Sequence, residues 1–215
     1  APAGFGKTTL LAAWLAEAQR ATRNAQNEQA SALAFEQFVW LSLDAGDNDP
    51  MRLLHGLIAA LQAVAPQLGR AALAAAGAHR RLEPQALLLS LLCDMEALAP
   101  PLVLVLDDLH LVTEPHATAL LAALAEQQPP TLRLVLASRA DPPLPLPRLR
   151  ARGQLCELRA ADLRMDAGEA AAFFQTTLGL ALDAGVVSQL VQRTEGWAAG
   201  LQLAGLAIQG QGASS

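Results

Sequence analysis

The chain has 215 residues, 53% of them hydrophobic and 16% charged, and a formal net charge of −5. That length holds one domain of ordinary size plus a smaller one, and the composition is globular, not disordered. The acidic balance argues against a general nucleic-acid surface within these residues, and no apolar run approaches the roughly 18 residues that span a bilayer.

Cys93 and Cys156 make no disulfide framework and read as free thiols of a reducing cytosol. The N-terminus is a glycine-rich turn without the basic start and apolar run of a signal peptide. Residue 1 is not Met and already lies inside a motif. The chain is therefore expected to be a fragment cut at its front edge.

The spacing of Leu10, Leu11, Trp14, Leu15 and Ala18 predicts a helix over 8–20. Residues 24–31 are polar and read as a loop or a frayed helix end. "FVWLSL" (38–43) is a short β-prone run that stops at the turn-rich "DAGDNDP" (44–50). Helical spacing returns over 51–64, with Leu53, Leu54, Leu57, Ile58 and Leu61 on one side. Residues 69–81 are weak in pattern. A further helix is predicted over 84–98, opened by Pro84. "PLVLVLDD" (101–108) is apolar on both faces, the mark of a central parallel strand covered by helices. A helix over 115–127, a buried strand over 132–139 and a Pro-rich loop over 141–153 follow, and "LCELR" (155–159) reads as a last strand. Beyond 160 come three helical patterns, about 166–178, 183–193 and 195–208, with no strand between them.

The alternation predicts an α/β fold: the parallel sheet of a phosphate-loop (P-loop) NTPase, flanked by helices, its first strand truncated, followed by a small all-α subdomain. The expected divisions are 1–159, 160–209 and a disordered tail over 210–215.

"APAGFGKT" fits the phosphate-loop pattern, with Ala1 where Gly is commoner. Lys7 is the only lysine among 15 cationic residues. A chain that writes every other cation as Arg keeps a compact ammonium here, which is the shape needed to reach between β- and γ-phosphates. Gly4 and Gly6 permit positive φ and close approach of backbone N–H groups to an anion, and the helix that follows adds its positive end. Ala3, Gly4, Phe5, Gly6, Lys7, Thr8 and Thr9 are the candidate nucleotide-binding residues. The Thr8 hydroxyl suits the coordination shell of Mg²⁺.

The run "LVLVLDD" brings two acids to a strand end, the edge where open α/β sheets bind ligands. Asp107 is the candidate Mg²⁺ holder, through water; Asp108 is the candidate that orients or deprotonates an attacking water. A buried strand running into an acidic turn would look the same. Arg139, in "LVLASR", is the candidate contact to a γ-phosphate, although a solvated Arg at a strand end has the same pattern. "DNDP" (47–50) reads first as a turn capping the next helix. His55, His79, His110 and His116 show no metal spacing and read as surface or loop residues. Trp14 and Trp40 read as core. The arginines at 148, 150 and 152 read as a solvated helix face.

Several blocks together carry a resemblance. "APAGFGKTTLLAAW", "WLSLDAGDNDPMRLLHGLIAALQ", "LVLVLDDLHLV", "LRLVLASRADPPLPLPRLRARGQLCELRAADLRM" and "RTEGWAAGLQLAGLAI" resemble the nucleotide-binding part of MalT-like regulators. These are the large ATP-binding bacterial activators of the LuxR family, within the STAND class of P-loop ATPases. The phosphate loop is generic; "DPPLPLPRLRARGQL" and "EGWAAGLQLA" are far more specific. The resemblance implies an ATP/ADP switch. The ADP form is closed; ATP with an inducer opens it and lets it multimerise; slow Mg²⁺-dependent hydrolysis resets it. It implies the same roles for Lys7, Thr8, Asp107 and Arg139, and it places "GWAAGLQL" (196–203) in a helical subdomain packed over the nucleotide. Ala198 stands where related switch ATPases often carry Pro. The family's preceding strand, winged-helix segment, inducer-sensing repeats and DNA-binding helix-turn-helix are not in the chain, so DNA contact is expected of a parent protein.

Two other readings share the site. One is a turnover enzyme, a motor ATPase or small-molecule kinase. The other is a non-catalytic interaction fragment.

Overall fold

A computed structural model describes residues 1–24, 37–70, 73, 74 and 83–212. The loop expected beyond residue 24, most of the weakly patterned stretch 69–81, His79 and the last three residues lie outside the described residues. The chain divides into two compact units, one of residues 11–156 and one of residues 1–10 with 157–215.

The larger unit holds a three-stranded parallel sheet in the order β1 (Gln37–Ser42), β2 (Leu102–Asp107), β3 (Leu132–Leu136). Gln37 pairs with Leu102 and Ser42 with Asp107 on one side of β2; Leu102 pairs with Leu132 and Leu106 with Leu136 on the other. Every residue of β2 is buried. Leu102, Leu104 and Leu106 belong to one core cluster with the helices, while Val103 and Val105 alternate to the opposite face. This is why the strand reads as a continuous apolar run in the sequence. β3 is shorter than expected and mostly half-buried, as suits an outer strand.

The α2 (Pro50–Gln62), α3 (Pro84–Glu96) and α4 (Pro115–Glu126) helices supply the other half of that core. Leu53, Leu54, Leu57, Ile58 and Leu61 of α2 meet Leu87, Leu88, Leu91, Leu92 and Met95 of α3 and Leu120, Leu121 and Leu124 of α4. Full burial of each such side chain is worth about 1.5–3 kcal/mol. Each helix opens with proline behind an acid: Asp49–Pro50, Glu83–Pro84, Glu114–Pro115. Proline gives up no hydrogen bond in a first turn. The Asp49 and Glu114 carboxylates accept from the free amides of Met51 and Arg52, and of His116 and Ala117. The reading of "DNDP" as a helix cap is thus borne out. The Pro-rich loop contains a short helix, α5 (Leu146–Ala151), in line with the helix face read for its arginines, and from it Arg148 pairs with Glu126 at 3.0 Å.

Two expectations fail. Residues 154–159 form no strand. Glu157 and Arg159, which share one side of an extended chain, bond to each other at 3.0 Å, and Leu158 is 61% exposed; nothing in that stretch is apolar enough on one face to hold it in a sheet. Trp14 is not core: it is 40% exposed and meets Phe38 edge-on at 6.5 Å.

In the smaller unit α6 (Ala167–Leu178), α7 (Ala184–Thr194) and α8 (Ala198–Gly212) pack around Ala170, Phe174, Val187 and Leu201. A reciprocal capping box starts α6: Asp166 accepts from the Glu169 amide and Glu169 accepts from the Asp166 amide. Between α7 and α8 the chain turns through Glu195 and Gly196, both left-handed, at φ 52° and 72°. A Cβ on Gly196 would lie 2.6 Å from the Met165 carbonyl oxygen, so only glycine fits this turn. A further helix, α1 (Lys7–Asn24), has its first turn in this unit and its remainder in the larger one.

Candidate functional site

Residues 1–6 form a turn that feeds directly into α1, whose first hydrogen bond runs from the Leu10 amide to the Gly6 carbonyl at 2.7 Å. Gly4 and Gly6 are both left-handed, at φ 77° and 73°. Alternation of left- and right-handed residues turns successive amides toward one concave side and carbonyls toward the other.

The carbonyls of residues 1–4 are engaged. Lys7 Nζ donates to the carbonyls of Ala1 and Pro2, each at 2.7 Å. The Trp197 indole N–H donates to the Ala3 carbonyl at 3.0 Å, and the Ala199 amide donates to the Gly4 carbonyl at 3.0 Å. Gly4 has a second reason besides its positive φ. A Cβ there would lie 2.7 Å from Trp197 Nε1 and 2.8 Å from the Ala199 Cβ, so Gly4 makes room for the start of α8. A Cβ on Gly6 would meet nothing within 4 Å. Space for an anion therefore lies at Gly6, beside Lys7. Thr8 and Thr9 are exposed on the first turn of the helix, and Ala3 and Phe5 sit in the loop itself.

Asp107 and Asp108 belong to the larger unit and close the carboxyl end of β2. The backbone there is gripped from both sides: the Leu43 amide donates to the Asp107 carbonyl at 3.0 Å, and the Leu109 amide to the Ala137 carbonyl at 3.0 Å. Asp107 is 5% exposed, and its Oδ1 accepts from the Asp108 amide at 2.9 Å. Asp108 sits at φ 55°, ψ 34°, a left-handed conformation that Asp tolerates better than most residues. Arg139 lies past the end of β3 and is exposed, so it belongs to a turn and not, as expected, to the strand; Ser138 Oγ donates to the Ala140 carbonyl at 2.6 Å in the same turn.

One residue at this sheet end was missed. Asn48 ties the loop after β1 to the loop after β2: its Oδ1 accepts from the amides of Thr113 and Glu114 at 2.8 and 2.7 Å, and its Nδ2 donates to the Leu111 carbonyl at 2.9 Å. A single Asn flanked by two acids carries no local signal for this. His110 lies in the turn after β2, a loop position as read, but its side chain is 18% exposed and its Nδ1 is buried.

Among the described residues no group of three or more His, Cys, Asp or Glu could hold a metal ion by itself. A Mg²⁺ ion bound chiefly by phosphate oxygens, water and one or two protein oxygens needs no such group. Likewise, no helix among the described residues is long and apolar enough to cross a membrane.

A parallel sheet with two acids at the end of its central strand, a glycine-rich loop ending in Gly6-Lys7-Thr8 and a helical remainder define a P-loop NTPase-like α/β protein with a helical part. The chain is MalT-like along its whole length. It is 35% identical over 205 residues to the HTH-type transcriptional regulator MalT of Yersinia enterocolitica, an alignment covering 95% of this chain and 21% of that protein. It is 34% identical over 214 residues to the protein of the same name from Serratia proteamaculans, covering 100% of this chain and 22% of that protein. The chain thus spans about a fifth of the length of these relatives. No protein-family model matches it.

Proposed function

We propose that this chain is the nucleotide-binding switch module of a signal-responsive bacterial transcriptional activator. Residues 1–159 act as the nucleotide-binding domain and 160–209 as the helical subdomain. ATP or ADP binds along the loop Ala3–Thr9, with the amides around Gly6 facing the phosphates and the Lys7 ammonium leaving the Ala1 and Pro2 carbonyls to reach them. Mg²⁺, when bound, screens the phosphate charge and polarises the terminal phosphoryl group. Thr8 and Asp107 hold it, Asp107 through water. Asp108 orients the water that attacks, and Arg139 senses the terminal phosphate. Hydrolysis is slow and resets the switch; the ATP form self-associates. Contact with DNA falls to a helix-turn-helix outside this chain, and the protein works in the cytoplasm.

One observation carries the reading: the carbonyls of residues 1–4 are committed to Lys7, Trp197 and Ala199 while space lies open at Gly6. The names of the MalT relatives support the regulatory part. The test is equilibrium binding of ATP and ADP to wild type and Lys7→Ala, followed by single-turnover hydrolysis. Binding lost in Lys7→Ala with turnover far below 1 s⁻¹ is the expected result. Turnover in the roughly 1–1,000 s⁻¹ range of ordinary enzymes would favour a motor ATPase or kinase, and equal binding by both proteins would sink the assignment.

A further inference from the structure

The parallel register of β1 and β2 ends on a pair of polar side chains, Ser42 opposite Asp107. The pairs before it sort the two faces of the sheet. Val39 stands opposite Leu104, and both belong to the core shared with α2, α3 and α4; Trp40 stands opposite Val105 on the other face. Residues two apart on a strand share a face, so Ser42 and Asp107 leave the sheet on the side of Trp40. The Leu43 amide, donating to the Asp107 carbonyl at 3.0 Å, locks the two backbones at strand spacing.

The half-buried Trp40 side chain aims the Ser42 hydroxyl: its indole N–H donates to Ser42 Oγ at 3.1 Å. An indole nitrogen is a donor only, so the bond takes one of the two lone pairs of the hydroxyl and fixes where the other lone pair and the proton face. Ser42 itself is exposed at the carboxyl end of the sheet, the edge where open α/β sheets take ligands. Neighbouring strands lie about 4.7–4.9 Å apart. Two side-chain oxygens set about that far apart are bridged by one water, at roughly 2.8 Å from each.

We propose that Ser42 is a positioning residue for Mg²⁺: Ser42 Oγ accepts one proton of the water through which Asp107 holds the ion, and the Asp107 carboxylate accepts the other. This rests on the reading of Asp107 given under Proposed function. A water that gives a lone pair to a cation has two protons to place. With a single acceptor it swings about that one bond; a second acceptor on the neighbouring strand fixes it. Trp40 in turn fixes the acceptor.

The test is ADP binding to the full 215-residue chain, measured by calorimetry with Mg²⁺ and again with EDTA. Wild type is compared with Ser42→Ala, Ser42→Thr, Ser42→Val and Trp40→Phe. Thr and Val have nearly the same shape and both suit a strand; only Thr keeps the hydroxyl. Ser42→Ala and Ser42→Val are expected to reduce the gain in ADP affinity that Mg²⁺ brings by about fivefold, the value of one ordinary hydrogen bond. Affinity in EDTA should not change. Ser42→Thr should keep the wild-type gain, and Trp40→Phe, which unties the hydroxyl without removing it, should fall between. In an Asp107→Asn background, Ser42→Val should cost nothing further. A wild-type gain in Ser42→Val, or equal losses in Ser42→Thr and Ser42→Val, overturns the inference. If Ser42→Ala fails to fold, the contrast between Thr and Val still decides. A wild-type chain whose ADP affinity ignores Mg²⁺ overturns the metal reading of Asp107, and this inference with it, while leaving nucleotide binding intact. A Mg²⁺ response that Asp107→Asn removes and Ser42→Val keeps overturns this inference alone.

Discussion

The indole N–H of Trp197 bonds to the carbonyl of Ala3 at 3.0 Å, joining the start of the last helix to the first turn of the chain. The Ala199 amide makes the adjoining bond to Gly4. Under the proposed function this pair holds the carbonyl side of the loop and so presets its amide side. Trp197→Phe keeps a ring and removes the donor. It should cost about 1 kcal/mol, read as roughly fivefold weaker ATP binding by calorimetry. Unchanged affinity would reduce Trp197 to packing.

Lys7 bonds two carbonyls of its own loop at 2.7 Å with one compact ammonium. A guanidinium is larger and planar and does not present one compact donor centre to both carbonyls. Lys7→Arg should therefore weaken ATP binding nearly as much as Lys7→Ala, by tenfold or more on the order-of-magnitude value of a lost charge-assisted bond. Wild-type affinity in Lys7→Arg would show that only charge matters.

Asp107 has a structural duty beside its proposed one, because its Oδ1 accepts from the Asp108 amide. Asp107→Asn keeps an acceptor there; Asp107→Ala leaves the amide orphaned, at about 1–3 kcal/mol. The expected outcome is that Asn preserves the melting temperature and nucleotide binding but loses Mg²⁺-dependent hydrolysis, while Ala also melts lower. Full hydrolysis by the Asn variant would remove Asp107 from the metal.

Asn48 makes three bonds to the 111–114 loop with one side chain. Asn48→Ala should destabilise the chain by about 2–3 kcal/mol, the sum of two or three ordinary hydrogen bonds. Asn48→Asp keeps both acceptor bonds and loses the donor bond, so it should fall between. Urea unfolding checks the order, and hydrogen exchange at Thr113 and Glu114 should speed up in the Ala variant alone.

His116 Nδ1 lies 2.9 Å from Glu114 Oε1 at the start of α4. That hydrogen bond, outweighing burial, holds the Glu114 carboxyl below its ordinary value of 4.5, with the Ala117 and His116 amides adding to it. The same bond, with the attraction of the carboxylate, raises His116 above its ordinary 6.5. The signs follow from linkage. The Glu114 contribution is present above pH 4.5 and fades as pH falls through its lowered value. The His116 contribution is present below pH 6.5 and fades as pH rises through its raised value. Stabilisation by the pair is thus greatest between the two ordinary values, and salt should weaken it. Proton NMR should show the His116 midpoint dropping toward 6.5 in Glu114→Gln; an unmoved midpoint would mean the pair does not form in solution.

Local rules were enough for the elements. Five apolar residues in a row foretold β2, and "DNDP" and Pro84 marked two helix starts, because each pattern acts within one turn or one pleat. The glycines and lysine of the loop were legible for the same reason. What folding in three dimensions decided lies at longer range. Trp197 finds Ala3 across 194 positions, and Asn48 finds Leu111 across 63. The purpose of Gly4, the burial of His110 and the failure of 155–159 to form a strand depend likewise on which segments arrive beside them. A residue's own neighbours in sequence state its preferences; only the path of the chain supplies the donor, the acceptor or the apolar face that those preferences must meet.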